Sequence, residues 1–179
     1  CRRALQPDGL FIGVMLGGDS LQELRLSLAQ AEAEVMGGLS PRVAPMGEIR
    51  DLGGLLGRAG LSLPVADRLP RDVSYQTMFH LIRDLRDMGE TNALTARHRA
   101  IPPRAFFPRA AQIYADNHGT GEGRIKARFE LVFLTGWAPH DSQQKPLRPG
   151  SAAARLAEAL ETTEFNEAAK PVPPRKDDT

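Results

Sequence analysis

Leu10-Phe11-Ile12-Gly13-Val14-Met15-Leu16 holds seven residues without a charge, set between Pro7-Asp8-Gly9 and Gly17-Gly18-Asp19-Ser20. A continuous apolar run of that length bounded by turn residues predicts a strand buried on both faces of a mostly parallel sheet. Pro7 presets φ for a tight turn and Gly9 permits a positive φ, so the turn opens the strand. Behind the run, Ser20-Leu21-Gln22-Glu23 has the pattern of a capping box, with Ser20 as N-cap and Glu23 reaching back to its amide. Leu21, Leu24, Leu28, Ala31 and Val35 then fall on one helical face, and Gly37-Gly38 stops the helix. The unit is strand, glycine loop, helix. In open α/β sheets such a loop lies at the carboxyl ends of the strands, where ligands bind.

Residues 47–59 predict a helix with Ile49, Leu52, Leu55 and Leu56 on one face and Gly60 as its stop. Leu61–Val65 reads as a short strand near a sheet edge, because Pro64 withholds a ladder donor. Tyr75–Met88 is predicted helical with Met78, Phe79, Ile82 and Leu85 inward. Phe107–Asn117 is a further helix with Phe107, Ala111 and Tyr114 on one side, so residues 76–118 form a helical insertion. Ile125–Leu134 alternates and then turns apolar, as an antiparallel edge strand on a parallel sheet would. A short helix is expected over 151–160, closing a domain of residues 1–161. The Pro- and charge-bearing tail, 162–179, has too little apolar content to fold. The abrupt start at Cys1 reads as the C-terminal part of a longer protein.

The whole-chain numbers exclude more than they assign. At 179 residues, 41% hydrophobic and 25% charged, the composition is that of one soluble, cytoplasmic domain. No apolar stretch approaches the roughly 20 residues of a membrane span. Cys1 is the only cysteine, so no internal disulfide or multi-cysteine zinc site is possible. A net charge of +1 provides no drive toward nucleic acid. Arginine makes up 19 of the 23 cations, the bias of a GC-rich bacterial genome.

Candidate site residues follow from position. Gly17 and Gly18 permit close approach of backbone to a ligand. Asp19 and Arg25 flank the same loop, where a substrate could be met, and Asp19 is a candidate catalytic carboxylate. His140, just past the last strand, suits a general base, since imidazole titrates near neutrality. Asp84, Asp87, Glu90 and Asn92 gather at the C-terminal end of one helix, where carboxylates oppose the macrodipole. Tyr75 and Trp137 are core or substrate-wall aromatics. No metal site is expected, because no histidine has a second ligand at helical spacing.

Four blocks in one order carry a resemblance: Gly17-Gly18-Asp19-Ser20-Leu21-x-Glu23-Leu24-Arg25, Asp51-Leu52-Gly53-x-Leu55-Leu56-Gly57-Arg58-Ala59-Gly60, Asp87-Met88-Gly89-Glu90-x-Asn92 and Gly136-Trp137-x-x-His140-x-Ser142-Gln143. With the Ala4–Ile12 turn and strand, they resemble class I S-adenosylmethionine-dependent methyltransferases. Within these, the likeness is to the methyltransferase-like family that includes the fifth assembly factor of mitochondrial respiratory complex I and its bacterial relatives. It is looser to the malonyl-carrier-protein methyltransferases of biotin synthesis. The resemblance implies an α/β fold, the C-terminal portion of a Rossmann-like sheet: strands five to seven, the last antiparallel, plus inserted helices. It implies S-adenosylmethionine as cofactor, with Gly17 and Gly18 near it and Arg25, Tyr75, Asn92 and Gln143 on the substrate side. Most of the cofactor site is expected upstream, since no glycine-rich first turn or acidic strand end is present and Gly119-x-Gly121-x-Gly123 precedes a strand. It implies three readings: methyl transfer, hydroxylation of a protein arginine, or a non-catalytic assembly module. The partner is then a protein such as a respiratory-complex subunit, a small-molecule acceptor, or a second copy in a homodimer.

Overall fold

A computed structural model describes residues 1–144, 160, 162 and 163. The chain divides into two compact units, Cys1–Asp141 and Ser142–Thr179, and the fold below is that of the first. The helix expected over 151–160 and the tail from 162 lie outside the described residues, but for Leu160, Thr162 and Thr163.

The uncharged run is strand β1, Leu10–Leu16. Helices α1 (Gln22–Met36) and α2 (Ile49–Arg58) follow, then strand β2 (Ser62–Tyr75), helices α3 (Met78–Asp87) and α4 (Phe106–His118), and strand β3 (Ile125–Trp137). The sheet order is β1-β3-β2. β3 is antiparallel to both neighbours, in registers Leu10↔Trp137 to Leu16↔Leu131 and Ser62↔Trp137 to Tyr75↔Ile125. β1 and β2 therefore run parallel, and the last strand is antiparallel as expected. It is the central strand, however, and not an edge. Its early alternation of charge comes from Lys126 and Arg128 meeting Asp72 of β2, at 2.8 and 3.0 Å.

Two further expectations are corrected. β1 is not buried on both faces: Leu10, Ile12 and Val14 are 46%, 62% and 53% exposed, because β1 pairs on one side alone and no described element covers that face. β2 is an edge strand as Pro64 suggested, with its register shifted between Ser62 and Val65, but it runs for 14 residues. Its second half, Asp67-Arg68-Leu69-Pro70-Arg71-Asp72, is too polar to read as a strand, which an edge position tolerates. Tyr75 ends that strand instead of starting a helix.

The core joins α1, α3, α4 and the first residues of β3. Leu24, Leu28 and Ala31 of α1 meet Met78, Leu81 and Leu85 of α3, then Phe106, Ala110, Ile113 and Tyr114 of α4. Met78, Ile82 and Leu85 of α3 and Ala111 and Tyr114 of α4 are in or against the core as expected. Phe79 and Phe107 are not: the first is half exposed and the second lies at the surface. Each large apolar side chain buried here contributes roughly 1.5–3 kcal/mol. The Tyr114 hydroxyl donates to the Lys126 carbonyl at 2.9 Å, so its polar end is satisfied. On the opposite face of the sheet, Leu52 and Leu56 of α2 lie by Phe11 and Leu134. Among the described residues no helix is long and apolar enough to cross a membrane.

Candidate functional site

The loop after β1 is zipped to β3. The Gly17 N–H donates to the Glu130 carbonyl at 2.9 Å, and the Gly18 N–H to the Gly47 carbonyl at 3.0 Å. Ser20 does not cap α1. Its hydroxyl donates to the Gly17 carbonyl at 2.7 Å and accepts the Glu130 N–H at 2.8 Å. Glu23 accepts the Arg128 N–H at 3.2 Å, so both halves of the expected capping box turn to β3. Leu21 stands at the N-cap position with φ of 57°, held in that left-handed state by its N–H to the Arg128 carbonyl at 2.8 Å and by its buried side chain. Such a conformation in a branched residue costs on the order of 1–3 kcal/mol and persists only where its surroundings impose it.

The glycines are explained by this packing. A Cβ at Gly17 would meet Val132 at 2.6 Å, and one at Gly18, where φ is 52°, would overlap the Glu130 carboxylate. What approaches their backbone closely is the protein's own β3. Asp19 sits exposed at the tip of the loop.

Arg25 and Asn92, far apart in sequence, are brought to one wall. The Arg25 guanidinium donates to the Ala44 carbonyl at 3.1 Å, and the Asn92 amide to the Pro41 carbonyl at 2.9 Å. Between those anchors lies Arg42, paired at 2.9 Å with the buried Glu32 and stacked 4.1 Å from the centre of the Phe106 ring. Glu32 also accepts the Ser40 N–H and hydroxyl at 3.0 and 2.6 Å. Burial works against the Glu32 charge, but the hydrogen bonds from Ser40 and Arg42 outweigh it and hold the carboxyl below its ordinary value.

The wall so held encloses a cavity of about 670 Å³ at the carboxyl end of β1. Leu21, Leu24, Leu28, Met46, Ile82 and Leu85 give it an apolar lining, and Arg86, Glu90 and Asn92 stand at its polar side. This is a greasy slot with a charged rim, suited to a ligand having an aliphatic stem and a polar head.

Other candidates are elsewhere. Tyr75 packs against the core, where burial, with the Asp84 carboxylate beside it, raises its phenol. His140 follows the end of β3 that pairs with Leu10, whereas Asp19 follows Leu16 at the opposite end of the seven-residue β1, roughly 20 Å away at strand rise. The two candidate catalytic residues are therefore not brought together. Gln143 falls in the second unit. Among the described residues no three His, Cys, Asp or Glu side chains gather as a metal site requires.

Glu32, Arg42 and Glu130 were missed by sequence reasoning. A signal existed: Glu32 follows Leu28 by four residues, on the apolar stripe of α1, and Glu130 interrupts the apolar half of β3. A charge inside an apolar pattern marks a satisfied buried group.

No family model matches the chain. It is 42% identical over 156 residues to the arginine-hydroxylase NDUFAF5, mitochondrial, of Danio rerio, an overlap covering 87% of this chain and 48% of that protein. Against the Homo sapiens protein of the same name the identity is 42% over 154 residues, covering 86% and 44%. It is 32% identical over 138 residues to the malonyl-(acyl-carrier protein) O-methyltransferase of Xylella fastidiosa (strain M23), covering 77% and 44%. The chain thus spans about half the length of the curated relatives it matches.

Proposed function

We propose that this chain, a member of the class I S-adenosylmethionine-dependent methyltransferase-like superfamily, forms the acceptor-holding part of an enzyme that modifies an arginine side chain of a protein. The observation that carries the reading is the cavity at the carboxyl end of β1, an apolar slot with a charged rim. It stands in a chain 41% to 43% identical to proteins named arginine hydroxylases. Hydroxylation is the first reading on that ground. Methyl transfer to a carboxylate is the second, favoured by 30% to 32% identity to O-methyltransferases.

In this reading β1, β2 and β3 take the places of strands five, six and seven. The uncovered apolar face and open edge of β1 are then where the rest of a larger sheet packs. The methyltransferase relatives imply S-adenosylmethionine. Gly17 and Gly18 do not fit it: Val132, Gly47 and Glu130 crowd the side of their backbone where a ligand would approach. A cofactor pocket is therefore not assigned to that loop, and the chain's contribution in this reading is to hold and orient the acceptor. A respiratory-complex subunit, the acceptor the resemblance implies, is the protein to test first.

The test is mass spectrometry of an arginine-bearing acceptor protein incubated with the product of the complete gene, in one arm with dioxygen and a two-electron reductant, which hydroxylation consumes with release of water, and in the other with S-adenosylmethionine. Gain of one oxygen on arginine is the expected result. Gain of a methylene on a carboxylate favours the second reading, and no change with either co-substrate overturns both in favour of an assembly module.

A further inference from the structure

The rim of the cavity carries charges that the fold itself does not use. Glu90 lines the cavity just past α3, where its N–H bonds the Leu85 carbonyl at 2.8 Å and Gly89 turns the chain at φ of 83°. Its carboxylate takes no hydrogen bond or ion pair from the described residues. Of the two cations on the lining, Arg42 is committed to Glu32 and to the Phe106 ring. Arg86 and Glu90 remain, one charge of each sign, and no ion pair within the described residues takes up either. Glu90 stands just past a ten-residue helix whose terminal carbonyls add partial negative charge. A carboxylate there is opposed by the dipole, and a cation from outside relieves both. Asn92, locked to the Pro41 carbonyl, keeps the chain after Glu90 in place against the slot.

We infer that Glu90 is the specificity residue of this cavity, pairing with the guanidinium of an arginine whose three methylenes lie along Leu24, Leu28, Met46 and Leu85. The inference rests on the acceptor reading above and names the group within it that selects a cation. A guanidinium offers a planar fork that one carboxylate accepts in two hydrogen bonds. The apolar lining takes the stem that arginine characteristically lays on greasy surface.

The experiment is an NMR titration of the isotopically labelled 179-residue chain with N-acetylarginine amide, and with the uncharged citrulline counterpart. Saturable shifts are expected in the amides of Val43, Ala44, Met46 and Thr91–Leu94 with the arginine compound and not with citrulline. Glu90→Gln is expected to weaken binding about fivefold, the scale of one partly exposed ion pair, Glu90→Asp to recover part of it, and Arg86→Gln to leave it equal or tighter. Equal binding of citrulline, an unchanged affinity in Glu90→Gln, shifts confined to other segments, or no saturation at tens of millimolar would each overturn the inference. Loss of binding in Arg86→Gln together with binding of a malonate monoester would assign the cavity to a carboxylate instead. The two readings fail separately. Arginine held at Glu90 but left unmodified by the complete gene product removes the enzymatic function and keeps the site; arginine modified with unchanged KM in Glu90→Gln does the reverse.

Discussion

Glu32 shows how one residue organises the site without touching a ligand. Its carboxylate gathers Ser40 and Arg42, and Arg42 in turn covers Phe106, so the wall of the cavity is built outward from a single buried charge. Replacing it by Gln keeps the shape and removes the charge-assisted bonds, at an expected cost of about 2–3 kcal/mol near neutral pH. The sign of the pH dependence follows from the lowered folded value. Stability from Glu32 is present above the unfolded value of 4.5 and is lost as pH falls through the lower folded one. Urea titrations from pH 7 to pH 3 should show the wild type and Glu32→Gln converging below about pH 4. A constant gap across that range would show that the carboxylate's charge is not what stabilises the wall.

Among the elements, β1 is the one whose sequence and surroundings disagree. Its uncharged run is the composition of a central strand, yet it occupies an edge with Leu10, Ile12 and Val14 exposed. Natural edges are blunted by charges or prolines, as β2 is by Asp67, Arg68 and Pro70, and β1 has neither. The expected consequence is concentration-dependent self-association of this chain through β1. Sedimentation velocity should show Ile12→Lys with Val14→Lys shifting the chain toward monomer, with its circular dichroism unchanged. Persistence of the oligomer in that variant would place the contact elsewhere. The same measurement addresses the homodimer expected from sequence.

At the scale of the whole first unit, one core links α1, α3, α4 and the start of β3, while β1 and α2 join it through the sheet. Trp137 stands at the far end of β3 from that core. Leu81, fully buried at its centre, is a probe of how far cooperativity reaches. Leu81→Ala is expected to cost about 2–5 kcal/mol and to shift the Trp137 fluorescence transition together with far-ultraviolet circular dichroism. Separated transitions would mean that the sheet end carrying Trp137 unfolds on its own.

Much of this was legible in local pattern. The uncharged run of β1, the 3.6-residue stripe of Leu24, Leu28 and Ala31, the Gly37 stop and the antiparallel β3 are consequences of periodicity and backbone sterics, which act over a few residues and are written in order along the chain. The long β2 was not, because an edge strand with charges on it has the composition of a loop and is made a strand by its ladder to β3. Nor was the failure of the Ser20–Glu23 box, since the same hydroxyl and carboxylate serve β3 amides 105 to 110 residues away. The site divides along the same line. Arg25 and Asn92 were visible as polar residues at loop and helix ends, but that both hold the segment from Pro41 to Ala44 depends on which surfaces the core brings together. Local interactions are set by neighbours in sequence, whereas a cavity and its charges are set by burial, which sums over the whole packed unit and belongs to the tertiary structure alone.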